Sequence, residues 1–220
     1  MRSRITMALL GAATLATIGT IGVTATPAAA AGACDPVLFG VVITGTYGDD
    51  LLIGGAGSDT INGLGGNDTI IGGGGDDVIN GGDGDDVITG GDGSDTINGN
   101  DGDDDLSGEN CADTVSGNNG ADLVNGNDGA DTVNGNDGVD VVNGNDGADT
   151  ISGGNGADDL AGGNGNDTVS GNDGADTVNG NDGADLVYGN DGADTVNGGN
   201  GADTVSGGNG DDTVSGNDGD

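Results

Sequence analysis

The chain has 220 residues, with 39 acidic side chains against two basic ones and no histidine, so its formal net charge is −37. That balance argues against nucleic acid, which needs basic contacts to phosphate, and against anionic membrane surfaces. It also leaves acid–base or nucleophilic chemistry without His, Lys or a base-paired nucleophile, so no enzyme is expected.

The two basic residues, Arg2 and Arg4, open the chain, and no acid occurs before Asp35. Beyond Arg4, therefore, no salt bridge can form. With 54 glycines and only 1% aromatic residues, a large conventional core is out of reach. Such a chain stays disordered or binds cations.

In chain order, residues 1–31 have the layout of a secretory signal peptide: the two arginines, an uncharged stretch from Ile5 to Val23, then Pro27 and a run of alanines. Cleavage after Ala30 or Ala31 fits this layout, with no membrane insertion afterwards. The competing reading is an uncleaved anchor, since the stretch approaches spanning length. Either way the expected location is secreted or extracellular. Residues 32–44 hold Cys34 and the apolar run VLFGVVI (Val37 to Ile43), which is expected to cap the open end of a repeat array that starts at Gly45.

From Gly45 to Ser215 the chain divides into 19 consecutive nonapeptides without insertion or deletion. The first position is always Gly, the sixth always Asp and the eighth always Ile, Leu or Val; the fourth is Gly except at Cys111. Positions one to six read as tight-turn chemistry, where Gly and Asn tolerate φ > 0. Positions seven to nine read as a short strand, with the eighth side chain pointing one way and its neighbours the other. One apolar residue per repeat builds a core only if repeats stack. The expected fold is all-β, a parallel β-solenoid with two nonapeptides per coil, roughly 45 Å long at the usual strand spacing. Residues 216–220 are a partial further repeat.

The pattern GGxGxDxUx, with U aliphatic, resembles the RTX (repeats-in-toxin) haemolysin-type calcium-binding nonapeptide family over residues 45–215. The resemblance implies a right-handed parallel β-roll with Ca²⁺ held in the turns between loops one coil apart. Carried over residue by residue, the metal ligands would be Asp50, Asp59, Asp68, Asp77, Asp86, Asp95, Asp104, Asp113, Asp122, Asp131, Asp140, Asp149, Asp158, Asp167, Asp176, Asp185, Asp194, Asp203 and Asp212. The chemistry of the residues agrees. Calcium prefers carboxylate and carbonyl oxygens, whereas the absence of His argues against zinc or copper. Loops one coil apart define about 17 sites, or about 15 if the loop at Cys111 spoils its own two; either number of divalent ions offsets most of the negative charge.

Three departures stand apart. Nine acids at position three, from Asp83 to Asp191, read as solvated turn residues that attract cations. Repeat eight reads GENCADTVS, placing Cys111 where φ > 0 is expected and strained. Cys34 and Cys111 are candidates for a disulfide in an exported chain, the alternative being unpaired or intermolecularly paired thiols. Finally, one face carries Thr60, Thr96, Thr114, Thr132, Thr150, Thr168 and Thr204 at position seven, interrupted by Val78 and Leu186. Such a column resembles ice-binding β-solenoid surfaces, although Thr is also simply a good exposed strand former.

The function expected is a secreted calcium-binding β-roll that folds cooperatively on binding many Ca²⁺ ions. A structural or adhesive surface spacer, or calcium-dependent binding of ice or polysaccharide through the threonine face, are the alternatives.

Overall fold

The computed structural model describes residues 39–217. Neither the signal-like segment 1–31 nor Cys34 falls among them.

Twenty strands, from β1 (Val42–Thr44) to β20 (Thr213–Ser215), alternate between two ten-stranded sheets. Odd strands form one sheet and even strands the other, and every pairing is parallel. In β3 (Thr60–Gly65), Ile61 pairs with Ile79, which confirms 18 residues per coil and a solenoid of two nonapeptides per turn. No described helix is long and apolar enough to cross a membrane.

The strands are longer than the repeat suggests. Most run six or seven residues, from position seven of one repeat through position three of the next, so only positions four to six turn. The correction has a physical cause. Position one is skipped in the ladder: Asn62 pairs with Asn80 and Leu64 with Gly82, leaving Gly63 between them. At this break position two takes the left-handed region, where Asn100 has φ 87° and Asn190 φ 76°. Asparagine tolerates that region better than other non-glycine residues. The chain therefore bends within a strand and pairs on, instead of turning.

Position eight points inward throughout, from Leu52 to Val196, and these side chains stack into one buried ladder between the sheets. Its first eight rungs, Ile43 to Leu106, are Ile or Leu, while most later rungs are Val. Each extra buried methylene is worth about 0.8 kcal/mol. Turns are laddered as well, because Thr132 donates its backbone N–H to the Asp113 carbonyl at 2.8 Å and Gly66 donates to Asp83 at 2.8 Å.

The roll also begins earlier than the repeat. Residues Val42 to Thr44, expected to belong to a cap, form β1 and add a rung to the odd sheet, with Ile43 joining the ladder. Phe39 and Val42 remain exposed, so among the described residues of the apolar run only Ile43 enters the core.

The ladder predicts a sharp contrast. Ile97→Ala should cost the calcium-saturated chain about 2–5 kcal/mol in urea unfolding, because Ile97 is fully enclosed. Val141→Ala, on the outer face and 42% exposed, should stay within about 0.5 kcal/mol.

Candidate metal centre

Each sixth-position aspartate closes a turn immediately before a strand, and the solenoid stacks these residues in two columns. One carboxylate oxygen is tied to the coil below. Asp131 Oδ1 accepts the Asp113 backbone N–H at 2.8 Å, and the same bond recurs from Asp68, which accepts from Asp50, to Asp212, which accepts from Asp194. The side chains are enclosed: Asp131 is 2% exposed and Asp140 1%.

The other oxygen is different. From Asp59 to Asp203, seventeen Oδ2 atoms are buried without any hydrogen-bond partner. An unpaired buried carboxylate oxygen is costly, and native folds rarely leave one, let alone a regular series.

The glycines show what faces these atoms. A Cβ added at Gly162, a first-position residue, would lie 2.6 Å from Asp167 Oδ2 and 2.5 Å from the carbonyl oxygen of Gly180, one coil on. Likewise a Cβ at Gly174, a fourth-position residue, would lie 2.8 Å from Asp176 Oδ1 and overlap the Gly156 carbonyl oxygen. Glycine at position one thus leaves room where an unpartnered Oδ2 meets a main-chain carbonyl of the next coil, and glycine at position four leaves room beside Oδ1 and a carbonyl of the preceding coil. Among the described residues no three Asp, Glu, His or Cys side chains cluster, so an ion here would draw on backbone carbonyls as much as on carboxylates. That mixture suits a hard cation such as calcium.

Electrostatics point the same way. Burial pushes the Asp113 carboxyl up to about 8, Asp77 and Asp104 to about 7, and Asp86, Asp95, Asp140, Asp167 and Asp176 to about 6. Backbone N–H donors oppose the rise, and carboxylates of neighbouring turns add to it. Asp59, Asp68, Asp122, Asp131, Asp149, Asp158 and Asp185 are raised too, burial again being the largest cause. In the folded state without a cation, charge on this column is strongly disfavoured.

Two of the expected ligands stand apart. Asp50 Oδ2 accepts the Thr46 backbone N–H at 2.6 Å and the Thr46 hydroxyl at 2.9 Å, so the first loop satisfies its own carboxylate. Thr46 was not singled out from sequence; the signal available was a hydroxyl at position two, where the other repeats carry mostly Gly or Asn. Asp212, on the last complete repeat, is only half-buried.

Third-position acids lie on strands, not in turns, and several accept a side-chain amide from the next coil. Asp137 accepts the Asn155 side-chain amide at 2.5 Å, and Asp191 that of Asn209 at 2.6 Å. Cys111 takes φ 86°, in the left-handed region expected for its position, and is disulfide-bonded; Cys34 lies outside the described residues.

A family model for the RTX calcium-binding nonapeptide repeat (4 copies) matches residues 44–79, 80–110, 107–142, 134–169, 162–196, 170–205 and 188–220. No curated protein matches the chain.

Proposed function

Because the chain belongs to the RTX calcium-binding nonapeptide repeat family, we propose that it is a secreted, non-enzymatic protein whose roll folds cooperatively on binding many calcium ions outside the cell. One observation carries this reading: the buried, unpartnered Oδ2 that recurs from Asp59 to Asp203. Calcium, when bound, supplies the positive charge that these oxygens and the adjacent carbonyls lack. The sixth-position aspartates would hold it, together with main-chain carbonyls at the first and fourth positions. The glycines keep that space open, and the Oδ1 bonds fix each carboxylate against the coil below. Since the loops exist as pairs only when coils are stacked, binding free energy is folding free energy, and occupancy of one loop pair favours the next.

Equilibrium dialysis with circular dichroism over a calcium titration tests the reading. The expected result is about 15–17 ions per chain, with β signal rising sigmoidally as they load. Saturation at one or two ions, with no spectral change, would overturn it. Export is supported by the pattern of residues 1–31 and by the higher calcium concentrations outside cells. N-terminal sequencing of secreted material should find a start at Ala31 or Gly32.

A surface role is favoured by the threonine column. On the odd sheet the position-seven threonines are exposed, apart from the half-buried Thr168. They pair in register, as Thr132 does with Thr150 and Thr114. If this flat face adsorbs calcium-dependently to ice or polysaccharide, Thr132→Tyr should abolish ice shaping or adsorption while leaving the spectrum of the folded roll intact. Adsorption unchanged in that variant assigns the column to strand formation alone.

A further inference from the structure

The turns of the roll are of two kinds, and the difference lies at position five, beside the carboxylate column but outside it. In the first seven repeats position five is always polar: it is Asp, Ser or Asn from Asp49 to Asp103. From Ala112 to Ala202 it is alanine in nine of eleven repeats. The polar side chains bond across coils. Asp85 Oδ1 accepts the Asp103 backbone N–H at 3.1 Å, and Asp103 Oδ1 accepts that of Ala121 at 2.8 Å. Asp49, Ser58, Asn67 and Asp76 make the equivalent bond to the turn 18 residues on. Among the described residues beyond Ala121, only Asn166 does so, to Ala184.

These bonds complement those of position six. A sixth-position carboxylate reaches down to the preceding coil, whereas a fifth-position side chain reaches up to the following one. In the first seven repeats every turn but that of Ser94 is therefore held from both sides. The same segment carries the unbroken Ile and Leu part of the buried ladder.

We propose that the fifth-position side chains are positioning residues for the metal loops. They pre-arrange the turns of the first segment, so that calcium closes residues 42–110 at a lower concentration than residues 122–217. This rests on the proposal that calcium fills the loops. At intermediate calcium the chain is then half folded, with the first segment offering a template on which the alanine-lined segment stacks coil by coil. Roughly one additional hydrogen bond per loop, each worth about 1 kcal/mol net, corresponds to a calcium midpoint about fivefold lower in the first segment.

The test is hydrogen–deuterium exchange by mass spectrometry on the full chain across a calcium titration. A thiol reductant is included so that Cys111 supplies no covalent tie. Peptides from residues 42–110 should become protected at about fivefold less calcium than peptides from 122–217. The triple variant Asp76→Ala, Asp85→Ala, Asp103→Ala should shrink that offset to about twofold. The matched triple to Asn, which keeps each acceptor oxygen and removes only charge, should retain it. Conversely, Ala148→Asn with Ala175→Asn, which give two alanine turns the side chain that Asn166 already provides, should lower the midpoint of the second segment. Simultaneous protection of both segments would overturn the proposal while leaving calcium-driven folding intact, as would loss of the offset in the Asn triple. Protection that ignores calcium would overturn the calcium reading itself.

Discussion

In calcium-free buffer, acidifying the full chain from about pH 8 to about pH 4 is expected to increase its β content, the reverse of ordinary acid denaturation. The buried sixth-position carboxyls are raised above their ordinary value of 3.8, to about 6 at Asp140 and about 8 at Asp113. The folded state therefore holds more protons than the unfolded chain in this window. Stability falls as pH rises, since its slope follows the difference in bound protons between the unfolded and folded states. The stabilisation is complete below the unfolded value. It is lost progressively through about 6 for Asp86, Asp95, Asp140, Asp167 and Asp176 and about 7 for Asp77 and Asp104, then about 8 for Asp113. Far-ultraviolet circular dichroism in chelator, on samples shown by sedimentation to be monomeric, reads the effect directly. With calcium present the trend should invert, because protons displace the ion from the same oxygens. A β signal in chelator that is flat or rises with pH would contradict the assignment.

Asp131→Asn should have opposite effects with and without calcium. The substitution keeps an oxygen to accept the Asp113 N–H. It also places an amide donor at the unpartnered position, beside the space that Gly126 leaves next to the Gly144 carbonyl. A buried charge without its partner costs about 3–5 kcal/mol, so the metal-free chain gains β structure at neutral pH. The calcium-loaded chain loses one or two ions, because Asp131 lies between loops above and below it. Stoichiometry from equilibrium dialysis and β content in chelator should thus move in opposite directions. A variant that loses stability equally in both states would mean that the carboxylate is only a turn residue.

Much of this was legible in the residues. A strict period of nine with one aliphatic position sets a thin, two-faced stack, and the alternation around Ile79 or Val133 puts that position inward. The invariance of Asp at position six, in a chain with no positive partner, marks the buried column. Strand length was harder to read, because glycine at position one, followed mostly by Gly, Asn or Asp at positions two and three, looks like turn chemistry. Here it serves instead to let coils approach, as at Gly162. The first strand, Val42 to Thr44, was hidden because Val41 stands where Asp is expected. Yet the Val41 backbone N–H still donates to Asp59 Oδ1 at 2.6 Å, so the stack needs only a main chain there. Position five was obscure for a related reason. Asp, Asn and Ser are ordinary turn residues, and only the stacking of coils shows that they bond upward.

Small-angle scattering of the full chain, in chelator and at saturating calcium near neutral pH, tests most directly whether bound ions hold the coils together. The radius of gyration should fall from roughly 50 Å, that of an unfolded chain of this length, to roughly 20 Å as the roll closes. A chain already compact in chelator, or one whose dimensions calcium leaves unchanged, would contradict the account.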